Sequence, residues 1–250
     1  MPQSRPVFHN GPVITKQYTH TQSKYENVGR LPARYFLLAQ TNSGKSNLIL
    51  NMILDIYRDC FERIVVFSSS FDTDSIWDPY KAYCRQKEWN LDECGYTSYS
   101  EKVLADITAE QAEIIKWQKA RNHKRLFGLL IIFDDMMTSR EAMRGKQIEI
   151  LYSRGRHNNC SVVTSSQAYK RVSNVVRMNS DHELVWRLRN GGDLKAWLEE
   201  NSAIVGEDKL LEIYRKATDP QYGYLWLNKA ASSDDELFHM GLGAPGEKIT

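Results

Sequence analysis

Short apolar runs, each ended by polar or turn-forming residues, recur along the chain and predict buried strands. They lie at residues 35–38, 64–67, 129–133, 161–164, 184–186 and 222–227, with a weaker candidate at 96–99. Continuous apolar runs of this length are typical of strands that are buried on both faces of a parallel sheet.

Helical spacing of apolar residues separates several of these runs. The segment after the first strand repeats apolar residues at intervals of one and three or four, at Leu48, Ile49, Met52, Ile53 and Ile56. This spacing predicts an amphipathic helix. Residues 75–90 and 148–151 and the segment that follows position 206 also have helical spacing.

One further helix is predicted from a capping pattern. Thr108 followed by Gln111 matches a capping box and predicts a helix that runs to about Asn122. Strands that alternate with helices in this way indicate an α/β fold whose central sheet is mostly parallel and flanked by helices.

The length of 250 residues suits one domain with small appendages. Residues 1–30 are polar, contain prolines and lack periodicity, which predicts a flexible N-terminal arm. We expect the domain to span 31–230 and a loose C-terminal tail to span 231–250.

The overall net charge of the chain is small, but basic residues are unevenly distributed along it. The chain is 42% apolar with a formal net charge of only +2, as in ordinary globular proteins. Residues 139–190, however, hold ten Lys and Arg against four Asp and Glu. Such an excess fits either a surface that attracts phosphate backbones or a solvated face balanced elsewhere.

The four cysteines match no zinc pattern and are expected to be buried, reduced thiols rather than metal ligands. Residues 1–15 lack the apolar core of a signal peptide. The longest apolar stretch, near 126–133, is too short to cross a bilayer. We therefore expect a soluble, intracellular protein that has no membrane partner.

The turn after the first strand carries the strongest chemical signal. Ala39 is followed by Gln40, Thr41, Asn42, Ser43, Gly44, Lys45 and Ser46, and a helix begins there. A strand, this turn and a helix form the context of a P-loop, in which backbone N–H groups and the helix N-terminus bind phosphates. We predict that residues from Gln40 to Asn47 bind ATP.

Individual roles within this loop follow from the same chemistry. Lys45 would reach the β- and γ-phosphates, and the Ser46 hydroxyl would bind Mg²⁺. Ala39 replaces the usual first glycine, which is tolerable only where the backbone does not need a positive φ angle.

A second motif follows about ninety residues later. The apolar run 129–133 ends in Asp134 and Asp135, which is the Walker B pattern. The strand would deliver Asp134 to the carboxyl edge of the sheet, where it would hold Mg²⁺. Asp135 would orient and polarise the attacking water.

Residues beyond the two Walker motifs are weaker candidates. Gln167 ends the run at 161–164 and could bind the attacking water or the γ-phosphate. Arg156 is a candidate finger for the γ-phosphate of a neighbouring subunit, with Arg154 second. Arg177 and Asn179, as well as Arg187, could be sensor or interface residues, and the sequence leaves their role open.

The order of these motifs resembles that of the FtsK–HerA superfamily of RecA-like (ASCE) P-loop ATPases. It is most similar to that of genome-packaging ATPases of large nucleocytoplasmic DNA viruses and virophages, in which Gly155-Arg156-His157 would precede the strand that ends in Gln167. The resemblance covers approximately residues 34–226. We therefore assign 31–230 as a P-loop ATPase domain.

This resemblance implies a motor that uses Mg·ATP to translocate double-stranded DNA without regard to sequence, packaging a viral genome. It also implies a homo-oligomeric ring, expected to be a hexamer, with Arg156 acting in trans and a capsid or portal protein as partner. The implied location is the host cytoplasm, a viral factory or the virion.

Three other functions remain open from the residues alone. A nucleotide kinase shares the P-loop but normally needs an Arg-rich lid, and a helicase or replication ATPase would act on single strands. A chain altered at Ala39 could also bind nucleotide only as an assembly switch, although Lys45, Ser46 and Asp134 argue for a working site.

Overall fold

The computed structural model describes residues 18–136, 142 and 145–242. Within them, eight strands form one sheet in the order β3-β2-β4-β5-β1-β6-β7-β8. The strands are β1 (Arg34–Leu38), β2 (Arg63–Ser68), β3 (Gly95–Tyr96), β4 (Leu129–Asp134), β5 (Cys160–Ser166), β6 (His182–Trp186), β7 (Tyr224–Asn228) and β8 (Phe238–Met240). Neighbouring strands pair in parallel, except that β7 is antiparallel to both β6 and β8.

The principal helices connect these strands. They are α1 (Lys45–Asn51), which continues as a π-helical segment (Met52–Ile56), α2 (Asp78–Gln86), α3 (Leu91–Cys94), α4 (Glu101–Ala120), α5 (Lys146–Arg154), α6 (Asn174–Asn179), α7 (Gly191–Asn201) and α8 (Glu207–Thr218). The predicted α/β architecture with a mostly parallel, helix-flanked sheet is confirmed.

The central strands are buried along their whole length, because apolar side chains pack on both faces of the sheet. In β1, Phe36 and Leu38 join the apolar cluster on one face, and Tyr35 and Leu37 join the cluster on the other. Alternate side chains of a strand point to opposite faces, so a strand that is apolar throughout needs cover on both.

The predicted start of the long helix at Thr108 is wrong. Helix α4 begins at Glu101, where the Ser100 hydroxyl accepts a hydrogen bond from the Val103 amide. Thr108 lies inside the helix and donates its hydroxyl to the Leu104 carbonyl across 2.9 Å. Gln111 is buried and hydrogen-bonds carbonyls outside the helix, at Phe127 and Asn158.

Several predicted boundaries shift. The strand predicted at 96–99 is the two-residue β3. The helix predicted at 75–90 is α2, preceded by a 3₁₀ turn (Ser75–Trp77). All four cysteines are buried, as expected, and none of them is in a disulfide.

The described parts of both predicted appendages pack on the domain. Phe238–Met240 adds a strand to the sheet beside β7, so this part of the tail 231–250 is not loose. At the other end, Thr19 forms a backbone bridge with Arg125, and the Lys24 ammonium pairs with Asp55 at 2.8 Å. No helix in the described part of the chain is long and apolar enough to cross a bilayer.

Candidate active site

The loop between β1 and α1 lies at the carboxyl edge of the sheet, where its backbone is shaped by two residues in the left-handed region. Gly44 has φ 85° and Asn42 has φ 61°, whereas Ala39 has no positive φ. Ala39 is fully buried, and its amide donates to the Ser166 carbonyl at 3.0 Å. An alanine methyl is therefore compatible with this loop.

The first turn of α1 presents backbone donors to the loop. The first hydrogen bond of this helix runs from the Leu48 amide to the Gly44 carbonyl. The amides of the preceding residues have no partner inside the helix and carry the positive end of its dipole. The Ser43 hydroxyl is also buried without a hydrogen-bond partner among the described residues. These donors suit an anion such as a phosphate group.

Lys45 points from this turn toward two carboxylates. Its ammonium lies 3.2 Å from Asp134 Oδ1 and 3.5 Å from Asp135 Oδ1, and only 7% of the residue is exposed. A buried cation needs such partners, because an uncompensated charge in the interior is strongly unfavourable. A bound phosphate would offer Lys45 a competing anionic partner.

Asp134 is held on its other sides by two hydroxyls. Ser46 Oγ donates to Asp134 Oδ2 at 3.2 Å, and Ser165 Oγ donates to Oδ1 at 2.8 Å. Ser165 Oγ also accepts the Asp135 amide at 3.0 Å. Hydroxyl and carboxylate oxygens are the donor type that Mg²⁺ requires. Ser46 and Asp134 therefore fit a magnesium site beside the loop.

Asp135 turns away from the strand in a left-handed conformation, with φ 52°, and its side chain is 43% exposed. The Gln167 amide nitrogen donates to Asp135 Oδ1 at 2.8 Å. On the other side, the Thr41 hydroxyl contacts Gln167 Oε1 at 3.4 Å. A carboxylate and an amide thus meet at the loop, and both are groups that can hydrogen-bond a water molecule.

Sheet topology explains why these distant residues converge. Strand β5 lies between β4 and β1, so the ends of all three strands reach the same edge. Parallel α/β sheets bind ligands at this carboxyl edge. The structure therefore brings together Lys45, Ser46, Asp134, Asp135 and Gln167, as the sequence predicted.

A cavity of about 1130 Å³ surrounds the loop. It is lined by residues 40–47 and by both aspartates, and part of its wall, which we call the aromatic end, is formed by aromatic side chains. There, the rings of Trp186 and Tyr224 lie 4.5 Å apart between centroids, tilted by 32°. Burial raises the pKa of Tyr224, and its hydroxyl accepts the Leu242 amide at 2.9 Å.

Tyr222 joins this aromatic end from the turn before β7. Its backbone is left-handed, with φ 63°, and the residue is 61% exposed. A β-carbon added at Gly44 would lie 3.4 Å from the Tyr222 ring. A tyrosine with positive φ is uncommon and strained, and such strain concentrates at ligand sites.

Arg156 does not reach this cavity. It lies in a 3₁₀ turn (Gly155–Asn158) before β5, at the amino edge of the sheet. There, its guanidinium contacts Asp181 at 3.5 Å, and Asp181 is held by Arg34 at 2.6 Å. A contribution to catalysis could only be made to another subunit, and that role stays a prediction.

The remaining arginine candidates differ in environment. Arg177 is buried and pairs with Glu200 at 2.7 Å, while its guanidinium also donates to the Val172 carbonyl, so it has a structural role. Arg154 and Arg187 are exposed.

Ser165 and the aromatic end formed by Trp186, Tyr222 and Tyr224 were not predicted from the sequence. Ser165 is one of several polar residues in 164–167, and only the fold singles out its hydroxyl. The aromatic residues come from β6 and from the segment around β7, so no local motif unites them.

The chain is similar in sequence and in fold to viral proteins. A family model described as Poxvirus A32 protein matches residues 20–222. The DNA packaging protein OPG160 of Monkeypox virus is 26% identical over 171 residues, which are 68% of this chain and 53% of that protein. Its Variola virus counterpart is 27% identical over 158 residues, 63% of this chain and 54% of that protein. The chain spans about half the length of these curated relatives.

Among solved structures, the genome packaging NTPase B204 from Sulfolobus turreted icosahedral virus 2, in complex with AMP, matches with a TM-score of 0.57 at 14% identity. The match covers 83% of this chain and 96% of that chain. It confirms the P-loop NTPase fold that the motif order implied. On the family match, the chain belongs to the poxvirus A32 protein family.

Proposed function

We propose that this chain is an ATP-hydrolysing motor that translocates double-stranded DNA and packages a viral genome. One observation carries the proposal: five side chains of the predicted site converge at the P-loop, and they are Lys45, Ser46, Asp134, Asp135 and Gln167. Relatives named DNA packaging proteins and a genome packaging NTPase of the same fold support the wider role.

ATP would bind along the cavity with its phosphates on the loop. The backbone of residues 40–47 and the Lys45 ammonium would replace the solvation of the β- and γ-phosphates. Similar NTPase structures have been solved with AMP and AMPPCP. Ser46 and Asp134 would hold Mg²⁺, which neutralises charge that develops on the phosphate oxygens.

Hydrolysis would be assisted by Asp135 and Gln167. They would orient a water molecule in line with the γ-phosphorus, and Asp135 would accept a hydrogen bond from it. The new P–O bond forms as the bond to the β,γ-bridging oxygen breaks, giving ADP and inorganic phosphate. The proton of the water leaves with phosphate or passes to solvent.

The aromatic end of the cavity would bind the base. Tyr222 lies beside Gly44, so its ring is placed to stack on a base attached to a phosphate chain in the loop. Trp186 and Tyr224 would form the wall beneath it. Stacking favours any base, so this end would supply affinity more than discrimination.

A ring, expected to be a hexamer, would complete the site. The amino-edge position of Arg156 suits a finger offered to the ATP of the next subunit, where guanidinium charge stabilises the transition state. Asp181, itself anchored by Arg34, would hold that arginine. DNA would pass through the ring without sequence preference, and a capsid or portal protein would receive it in the viral factory.

The proposal is tested by displacement of a third strand annealed near the end of a long linear duplex. A translocating motor displaces that strand only with hydrolysable ATP, and Lys45→Ala should not displace it. ATP hydrolysis without displacement, together with unwinding of forked DNA, would instead identify a helicase.

A further inference from the structure

A strongly basic surface lies at the carboxyl end of α4, outside the site described above. Positions 114–132 contain five Lys and Arg residues and no acid. Arg125 pairs with Glu62 at 2.9 Å. The other four form what we call the α4 basic surface: Lys116, Lys119, Arg121 and Lys124.

Contacts with other parts of the chain fix this surface in place. The Thr19 amide donates to the Lys124 carbonyl at 2.8 Å, which ties the loop after α4 to the N-terminal segment. The Lys119 ammonium donates to the His157 carbonyl at 3.1 Å and lies 5.3 Å from the centre of the Tyr18 ring. The charges are therefore presented by a defined scaffold.

An exposed tryptophan orients one of these cations. Trp117 is 50% exposed, and the Arg121 guanidinium lies 4.3 Å from its ring centre. Stacking holds a guanidinium plane while its N–H edge stays available for a phosphate. Within the described part of the chain, Lys116, Arg121 and Lys124 form no ion pair with a carboxylate.

Helix stability alone does not account for this arrangement. Cations in the last turn of a helix interact favourably with its dipole, which could explain Lys119 and Arg121. Lys124 lies beyond the end of α4, however, and Lys116 lies before the last turn. The half-exposed Trp117 is also unexplained by the dipole.

We propose that the α4 basic surface is a contact site for the DNA phosphate backbone. The inference rests on the proposed function and deepens it, because it places DNA contacts outside residues 139–190. Exposed cations that lack carboxylate partners bind phosphates without reading base sequence, as a packaging motor requires.

The test compares two triple variants that each remove two lysine charges and one arginine charge from exposed positions. The surface variant is Lys116→Gln/Arg121→Gln/Lys124→Gln, and the control is Lys209→Gln/Arg215→Gln/Lys216→Gln on α8. Binding to a long mixed-sequence duplex is titrated between about 0.05 and 0.2 M salt. Thermal stability, DNA-free ATP hydrolysis and self-association are measured in parallel.

We expect the surface variant to bind DNA more weakly than the control, with a salt slope lower by about 0.9 for each DNA phosphate that the variant no longer neutralises. Unchanged binding, or an equal reduction in both variants, would overturn the inference while leaving the motor intact. Loss of self-association would assign the surface to a neighbouring subunit instead. Failure of the unaltered protein to bind duplex DNA would reject the proposed function itself, and the inference with it.

Discussion

Gln167 Nε2 donates a hydrogen bond to Asp135 Oδ1 across 2.8 Å, joining the ends of two adjacent strands beside the phosphate loop. Neither strand end, taken alone, assigns its residue to catalysis. Their contact lies next to Lys45, and Asp135 itself lines the cavity.

Asp135→Asn should therefore retain ATP binding and lose turnover. The amide keeps the shape and a hydrogen bond but cannot polarise water as a carboxylate does, and a loss of about 10²–10⁴-fold in kcat is expected. Gln167→Ala should also lower kcat. Steady-state phosphate release and nucleotide binding by calorimetry measure both effects. Normal turnover in Asp135→Asn would remove this residue from the mechanism.

Ser165→Ala should weaken the affinity for magnesium. The Ser165 hydroxyl orients Asp134 and accepts the Asp135 amide, and removal of such orienting groups typically costs about 10–100-fold in metal affinity or activity. The control is Ser161→Ala, which removes a hydroxyl from the opposite end of the same strand, where it accepts the Ala33 amide. Activity is titrated against Mg²⁺. An equal effect in both variants would indicate general destabilisation of β5.

Tyr222→Ala should raise the Kd for ATP with little change in kcat, because the ring is placed to bind the base rather than the γ-phosphate. Loss of base stacking costs about 1–3 kcal/mol, or roughly 5–150-fold in affinity. Tyr222→Phe keeps the ring and should bind like the unaltered protein. If Tyr222→Ala weakened the binding of inorganic triphosphate as much as the binding of ATP, the loss of affinity would come from a change in the strained turn and not from lost base stacking.

Arg156→Ala should keep nucleotide binding and lose turnover in the assembled protein. Arg215→Ala, which removes an exposed arginine from α8, provides the control. Mixtures of unaltered and Arg156→Ala subunits distinguish the two possible sites of action. Activity that falls more steeply than the fraction of unaltered subunits in the mixture indicates a site shared between subunits. Activity in simple proportion to dilution would argue against a finger in trans.

Much of the fold could be predicted because its signals are local. The run at 129–133 is apolar enough to require a buried strand, and the acids after it end that strand, so β4 and its carboxylates were predicted together. The helix start at Thr108 failed because the real cap, Ser100, has Val103 where a capping box has Glu or Gln. A threonine inside a helix that hydrogen-bonds back to the preceding turn produced the false pattern.

Some residues of the candidate site could likewise be predicted from local motifs, whereas others could not. Lys45, Ser46 and Asp134 belong to continuous motifs, so their chemistry could be inferred before the fold was known. Tyr222 contributes through a left-handed turn that places its ring beside Gly44, and that proximity exists only after β7 joins the sheet. Long-range contacts of this kind leave no pattern in one sequence.

The most direct test of the central claim is steady-state phosphate release with Mg·ATP, measured with and without long double-stranded DNA. Asp134→Asn serves as the matched variant, because it keeps the size of the side chain and removes the charge that would hold the metal. We predict release that DNA stimulates and that Asp134→Asn abolishes. Tight nucleotide binding without release under any of these conditions would contradict this prediction and favour a nucleotide-dependent assembly switch.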